Sequence, residues 1–315
     1  MHSIPYLIRI PIMNALEIEN ISKSFGDVQA VDGLSVCVPA GKIYGFLGPN
    51  GAGKTTTIRM IMNIIQPDSG RIKILGDGAN RGVLDRVGYM PEERGLYRKM
   101  TVAKVLAYFA GIKGLAKREL SQRVPQWLGR IGLADWAQKK VEELSRGMHQ
   151  KLQFVVTAIN EPDLLILDEP FSGLDPVNLD MIKSIILEMK QQGKTIIFST
   201  HVMHEAEQLC DYHLLINKGK LVVDGSLDEI RSRWNSDAIL ARLQGDTSFI
   251  QTLPIVSEVK EQDRHLEITL REQADPQELL HALVDKVRVH SFEVKQPSLH
   301  EIFVRLVGPQ EEEIN

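Results

Sequence analysis

The chain has little cysteine: Cys37 and Cys210 are the only two among 315 residues. Two thiols are too few for a disulfide framework or a zinc site, so a reducing cytosol is the expected compartment. No stretch approaches the ~18 consecutive apolar residues that a membrane-spanning helix needs. Excess positive charge is also missing. Lys and Arg total 37 against 41 Asp and Glu, a formal net charge of −4, and no long basic run stands out. Nucleic acid is therefore not an expected partner. Residues 1–12 are apolar but broken by Pro5, Arg9 and Pro11, without a basic start or a small-residue cleavage site, which argues against a signal peptide. This leader, residues 1–13, reads either as an extended start or as an ordered segment of its own. What remains is a composition of 43% hydrophobic and 25% charged residues. Those are the proportions of a globular protein with one large or two ordinary domains.

Against that background one segment stands out. Residues 48–56 read Gly48-Pro49-Asn50-Gly51-Ala52-Gly53-Lys54-Thr55-Thr56, which meets the pattern G-x-x-x-x-G-K-[ST]. The glycines let the backbone turn tightly, so that successive N–H groups can face phosphate oxygens without Cβ clashes. Lys54 is expected to reach the β- and γ-phosphates, and the Thr55 hydroxyl to hold Mg²⁺. Residues 42–47 upstream look like a buried strand and residues 56–61 downstream like a helix. A helix N-terminus there would add its unpaired amides and dipole to anion binding.

Short β-like runs at residues 16–19, 28–38 and 43–47 are separated by turn signals at Gly26-Asp27 and Pro39-Ala40-Gly41, with a further strand at 71–75. Residues 101–160 turn helical, with Thr101 placed as an N-cap and Trp127 and Trp136 as core anchors. Strand–helix alternation then returns. Apolar runs at 164–167 and 195–199 are joined by a helical pattern over 179–190, the sequence form of a parallel βαβ unit. A hairpin at Asn217-Lys218-Gly219 closes this segment. From about residue 236 the pattern becomes that of a small α+β domain: strands at 238–243, 255–260 and 265–270, a helix at 276–285, a strand at 289–294 and a helix at 299–306. Residues 310–313 read as a solvated acidic tail.

Asp168 and Glu169 end the 164–167 strand, and ligands of open α/β sheets gather at the carboxyl ends of strands. Asp168 is thus placed to hold Mg²⁺, directly or through water, and Glu169 to orient and polarise the water that attacks a γ-phosphate. His201 follows the 195–200 strand and emerges at the same edge, placed to bond the γ-phosphate or that water. Residues 144–148, Leu-Ser-Arg-Gly-Met, lead into a helix at about 149–159. Ser145, Gly147 and a helix N-terminus make a second anion-binding element. One nucleotide already has a complete phosphate loop, so this element makes sense if it serves the nucleotide of another subunit.

With these motifs in order, residues 16–225 resemble the ATP-binding subunits of ABC transporters. The resemblance implies an α/β P-loop NTPase core of the ABC type with an antiparallel β subdomain and a helical subdomain at about 97–160, spanning 14–225. A small α+β accessory domain follows at 226–315. It further implies ATP and Mg²⁺ as cofactors, Phe25 stacked on adenine, residues 48–56 as Walker A, and Ser145, Gly147 and Met148 as the signature. Residues 164–169 correspond to Walker B, residues 172–175 to a D-loop whose Asp175 crosses a dimer interface, and His201 to the switch histidine. Two positions depart from the family pattern. Arg146 and Met148 replace the third and fifth residues of Leu-Ser-Gly-Gly-Gln, Arg146 either adding charge near the γ-phosphate or, the favoured reading, pointing to solvent. Glu92 stands where a glutamine is usual, an anionic rather than neutral ligand near Mg²⁺. The segments 91–97 and 144–148 resemble those of sodium-efflux-type (NatA-like) exporter ATPases, which often carry a C-terminal domain.

The resemblance implies an ATPase that works as a head-to-tail homodimer or heterodimer, peripheral at the cytoplasmic face of the membrane. It would drive an exporter whose path belongs to an integral membrane permease, docked between the core and the 101–143 helical block near Glu92. The competing expectation is a soluble ABC-type ATPase acting on ribosomes or DNA. Such proteins usually show a second ATPase domain, a zinc insert or long coiled-coil arms, and none is visible here. A third, a non-catalytic regulatory module, is opposed by Lys54, Asp168 and Glu169.

Overall fold

The computed structural model describes residues 14–78, 80–93, 95–234, 238–262, 265–271 and 274–308. The leader at 1–13, Arg94 and the acidic tail at 310–313 lie outside the described residues. The chain divides into two compact units, with the boundary between Ser226 and Leu227.

The first unit opens with the hairpin strands β1 (Asn14–Phe25) and β2 (Val28–Pro39), then β3 (Ile43–Leu47) and α1 (Lys54–Ile61). Strands β4 (Ser69–Ile74) and β5 (Asp77–Gly78), helix α2 (Arg81–Leu84) and strand β6 (Val87–Met90) come next. Helices α3 (Val102–Ile112), α4 (Lys117–Arg130) and α5 (Arg146–Ala158) form the helical region. The unit finishes with β7 (Leu164–Asp168), α6 (Pro176–Gln191), β8 (Thr195–Thr200), α7 (Met203–Leu209), β9 (Tyr212–Asn217) and β10 (Lys220–Gly225).

Two sheets result. One is antiparallel, in the order β2-β1-β4-β5; the other runs β10-β9-β3-β8-β7-β6 and is parallel except for the β9–β10 hairpin. Every residue of β3, β7 and β8 is buried. This is why these strands read as continuous apolar runs instead of alternating ones: a parallel sheet is covered on both faces. Tyr44, Phe46, Ile166, Ile197 and Leu214 contribute to a core that also takes Leu16, Ile18 and Val36 from the antiparallel sheet. Inside that core the Tyr44 hydroxyl donates to Asp224.

Two local expectations change. Thr101 does precede α3, but its hydroxyl makes no capping bond and is buried without a partner among the described residues; the helix start is held instead by the backbone, Val102 N–H donating to the Lys139 carbonyl. Trp127 is buried, whereas Trp136 is only half-buried on a short 3₁₀ turn. Tertiary packing, not side-chain type, decided both.

The second unit begins with α8 (Leu227–Ser232) and contains β11 (Ala238–Gln244), β12 (Val256–Gln262), β13 (His265–Leu270), α9 (Pro276–Val284), β14 (Arg288–Val294) and α10 (Leu299–Val307). Its four strands form an antiparallel sheet in the order β12-β13-β11-β14. Ile239, Ala241 and Ile268 pack with Leu279 and Leu283 of α9. A capping box starts α10: Ser298 Oγ accepts from Glu301 N–H at 3.1 Å, and the Glu301 carboxylate accepts from Ser298 N–H at 2.8 Å.

Candidate functional site

The site is built at the carboxyl edge of the parallel sheet, because β3, β8 and β7 are neighbours in that order. Leu47 pairs with Thr200 and Asp168 with Ser199, so residues following the three strands leave the sheet at one level. The phosphate loop follows β3, Glu169 follows β7 and His201 follows β8. Strand order alone, which no local motif encodes, brings them together.

The loop at residues 48–53 needs glycine at two places for distinct reasons. Gly48 has φ +153° and a Cβ there would lie 2.2 Å from the Ile216 carbonyl oxygen; Gly53 has φ +107° and its Cβ would lie 2.5 Å from that of Ala30. No side chain caps α1, so the amides of its first turn remain directed into the loop. Lys54 is buried, and its ammonium donates to the carbonyls of Gly48 at 2.7 Å and Pro49 at 3.0 Å. Burial pushes its pKa below the usual lysine value, opposed by the negative charges of Glu169, Asp168 and Glu92.

Asp168 is fully buried. Its Oδ1 accepts from Ser199 Oγ and faces Thr55 Oγ1 at 3.4 Å. Its Oδ2 is buried with no hydrogen-bond partner among the described residues. A desolvated carboxylate oxygen left unpaired is costly. A hard divalent cation or its water would satisfy that oxygen, and Thr55 beside it offers a second oxygen ligand. The donor set therefore fits Mg²⁺. Glu92 is exposed and lines the same cleft.

Glu169 adopts φ +50°, a left-handed conformation uncommon for a residue with a side chain. Its amide donates to the Ser199 carbonyl and hydroxyl at 3.2 and 3.1 Å. Its carboxylate is mostly buried, with Oε1 3.0 Å from His201 Nδ1 and 4.0 Å from Lys54 Nζ. The cleft bounded by Asn50, Lys54, Thr56, Glu92 and Glu169 has a volume of about 280 Å³.

The remaining sequence-derived positions stand apart from this cleft. Phe25 is half exposed at the end of β1 and pairs with Val28, which does line the cleft. Ser145 is the N-cap of α5, its Oγ accepting from Met148 N–H at 3.4 Å, and Gly147 follows in the first turn. Asp175 caps α6, accepting from Asn178 N–H at 2.9 Å, and these bonds hold its carboxyl below the usual range. None of Ser145, Gly147, Met148 and Asp175 lines the phosphate cleft of its own chain. Arg146 is exposed but bonded: its Nη2 donates to Ser172 Oγ at 3.1 Å.

Sequence reading missed Ser199 and Gln150. Ser199 anchors both Asp168 and Glu169, and the only signal was a polar residue at the end of an apolar strand. Gln150 donates to the carbonyls of Glu169 and Pro170; nothing local to residue 150 indicates this.

Residues 31–172 match the family described as ABC transporter, and residues 225–307 match the C-terminal domain described as ATP-binding protein DrrA1-3-like. An uncharacterized ABC transporter ATP-binding protein, YhaQ of Bacillus subtilis (strain 168), is 41% identical over 293 residues, covering 93% of this chain and 98% of that protein. Nod factor export ATP-binding protein I of Rhizobium sp. (strain N33) is 34% identical over 303 residues, 95% of this chain and 98% of the relative. Among solved structures, an ATP-binding subunit of an ABC transporter superposes with a TM-score of 0.66 at 32% identity, covering 70% of this chain and 93% of that one.

Proposed function

Because the chain belongs to the ATP-binding proteins of ABC transporters, an ATPase family, we propose that it hydrolyses ATP to power a separate membrane permease, most simply an exporter. The observation that carries the catalytic assignment is the convergence, at one sheet edge, of the glycine loop, the unpaired Asp168 Oδ2 and the Glu169 carboxylate. The direction of transport is supported by the relative named for Nod factor export.

The amides of residues 50–55 and the Lys54 ammonium bind the phosphates, Lys54 exchanging its bonds to Gly48 and Pro49 for phosphate oxygens. Phe25 packs on the adenine. Thr55, Asp168 and Glu92 would hold Mg²⁺, which when bound would neutralise phosphate charge. Glu169 accepts the proton of the attacking water, and His201, already on Glu169 Oε1, holds that carboxylate and the water in line. Ser145, Gly147 and Met148 serve the nucleotide of a second ATPase subunit, with Asp175 at the interface between the two. ATP thereby closes a head-to-tail dimer, and hydrolysis reopens it.

No described helix is long and apolar enough to cross a membrane, so the transport path is assigned to the permease, with this chain peripheral at its cytoplasmic face. A groove of about 210 Å³ lined by Tyr89, Leu96, Phe109, Ile112, Gln153 and Val156 offers the permease an apolar seat close to Glu92.

The test is affinity purification of tagged Glu169→Gln from gently solubilised membranes with Mg·ATP, followed by mass spectrometry. Co-purification of a polytopic membrane protein is expected. Recovery of ribosomal proteins or nucleic acid without one would overturn the reading.

A further inference from the structure

Helix α5 carries three long polar side chains at 146, 150 and 153, a spacing that places them on one face. Each grips a segment belonging to the acidic site. Arg146 Nη2 donates to Ser172 Oγ at 3.1 Å. Gln150 Nε2 donates to the carbonyls of Glu169 at 3.1 Å and Pro170 at 3.0 Å. Gln153 Nε2 donates to the carbonyls of Pro91 at 2.6 Å and Glu93 at 3.3 Å, which flank Glu92. Both glutamines are buried, at 5% and 3% exposure, so their amides depend on these carbonyls for hydrogen bonds.

The backbone that Gln150 holds is strained. Glu169 sits at φ +50°, and such a conformation persists only where its surroundings over-determine it. Ser199 fixes the amide side of Glu169 and Gln150 the carbonyl side. Further along, Gly173 lies at φ +75°, where a Cβ would come within 2.5 Å of Arg146 Nε, so the loop and the helix are fitted closely.

We propose that the Arg146–Gln150–Gln153 face of α5 is the positioning element for both acidic segments, with Gln150 the positioning residue for the Glu169 carboxylate. The helix is buried along most of its length. Ser145 is its N-cap. A nucleotide of a second subunit seated against Ser145 and Gly147 therefore biases the carboxylate geometry of this chain's own site, through side chains and not through the partner's atoms. Gln153 also lines the apolar groove, so an occupant of that groove acts on the same helix. The inference rests on the assignment of Glu169 as the base.

The experiment compares Gln150→Met, which keeps volume and helix propensity but has no donor, with Gln150→Lys, which keeps one. Expected is a kcat loss of about 10- to 100-fold in the Met variant with KM for ATP within about twofold of wild type, and a smaller loss in the Lys variant. Amide exchange at Ser172 and Leu174, whose N–H groups bond within the loop to Glu169 and Phe171, should speed up about tenfold in the Met variant. Wild-type kcat and exchange in the Met variant, or equal losses in the two variants, would overturn the proposal. Should Gln150→Met not fold, the exposed pair decides: Arg146→Met and Ser172→Ala should be non-additive in kcat, and additivity overturns it. Exchange does not depend on which group is the base. If Glu169→Gln turned over normally, the assignment of the base would fall, while the exchange data would still report whether Gln150 holds the loop.

Discussion

His201 Nδ1 lies 3.0 Å from Glu169 Oε1, and the same oxygen lies 4.0 Å from Lys54 Nζ. Three residues separated by up to 147 positions in the chain, 54, 169 and 201, thus converge on one oxygen atom. The Glu169 carboxylate is mostly buried while the imidazole is half exposed, so the histidine presents the solvent-facing side of this contact.

The first prediction concerns that acid. Glu169→Gln keeps the shape and the contact with His201 but cannot accept a proton. Turnover should fall by about 10²- to 10⁴-fold while ATP binding and ATP-dependent dimerisation persist. Phosphate release, together with light scattering in Mg·ATP, measures both; wild-type-like turnover removes Glu169 from the role of base.

Asp168→Asn should act differently. The amide presents one acceptor and one donor where two carboxylate oxygens stood, and the donor would face the position of the unpaired Oδ2. The Mg²⁺ concentration for half-maximal ATPase should rise at least about tenfold, with ATP affinity in the absence of metal little changed. A Mg²⁺ titration of activity checks this, and an unchanged midpoint would exclude Asp168 as a metal ligand.

The pH dependence of stability should report Lys54. Burial lowers its folded pKa beneath the ordinary value of about 10.4, so between the two values the unfolded chain binds more protons and stability rises with pH. The penalty is fully present below the folded pKa and is gone above the unfolded one. Lys54→Met should remove this rise, so wild type gains stability relative to the variant as the pH rises toward the ordinary lysine value. Urea denaturation of both proteins without nucleotide measures the difference; parallel profiles would show that Lys54 does not titrate there.

Gly48 and Gly51 should separate steric from conformational cost. A Cβ at Gly48 meets the Ile216 carbonyl, whereas one at Gly51, φ +78°, meets nothing within 4 Å. Gly48→Ala should destabilise by about 2 kcal/mol or more and abolish ATP binding; Gly51→Ala should cost about 1 kcal/mol. Thermal unfolding with nucleotide titration tests the ranking, and equal effects would contradict the close approach of β9.

Much of this protein was legible from neighbouring residues. The glycine loop between strand and helix, the acids ending an apolar strand and Ser145 at the start of α5 are written in contiguous residues, because backbone dihedrals and period-specific burial are local properties. So were the buried parallel strands, whose unbroken apolar runs follow from cover on both faces. Thr101 marks the limit of that legibility: the residue type suits a cap, yet packing buried its hydroxyl without a bond.

The order β3-β8-β7 was not local. It depends on which apolar faces bury one another across the sheet, and it alone carries Lys54, Asp168, Glu169 and His201 to one edge. The partner of Arg146 was likewise decided in three dimensions: its side chain is exposed, as the favoured reading had it, yet it also reaches Ser172. Gln150 and Gln153 read in sequence as unremarkable helix residues. Their bonds to the carbonyls of the loops that follow β6 and β7 exist only once α5 has packed on those loops, because a hydrogen bond between distant segments is specified by tertiary packing and not by the residues beside it in the chain.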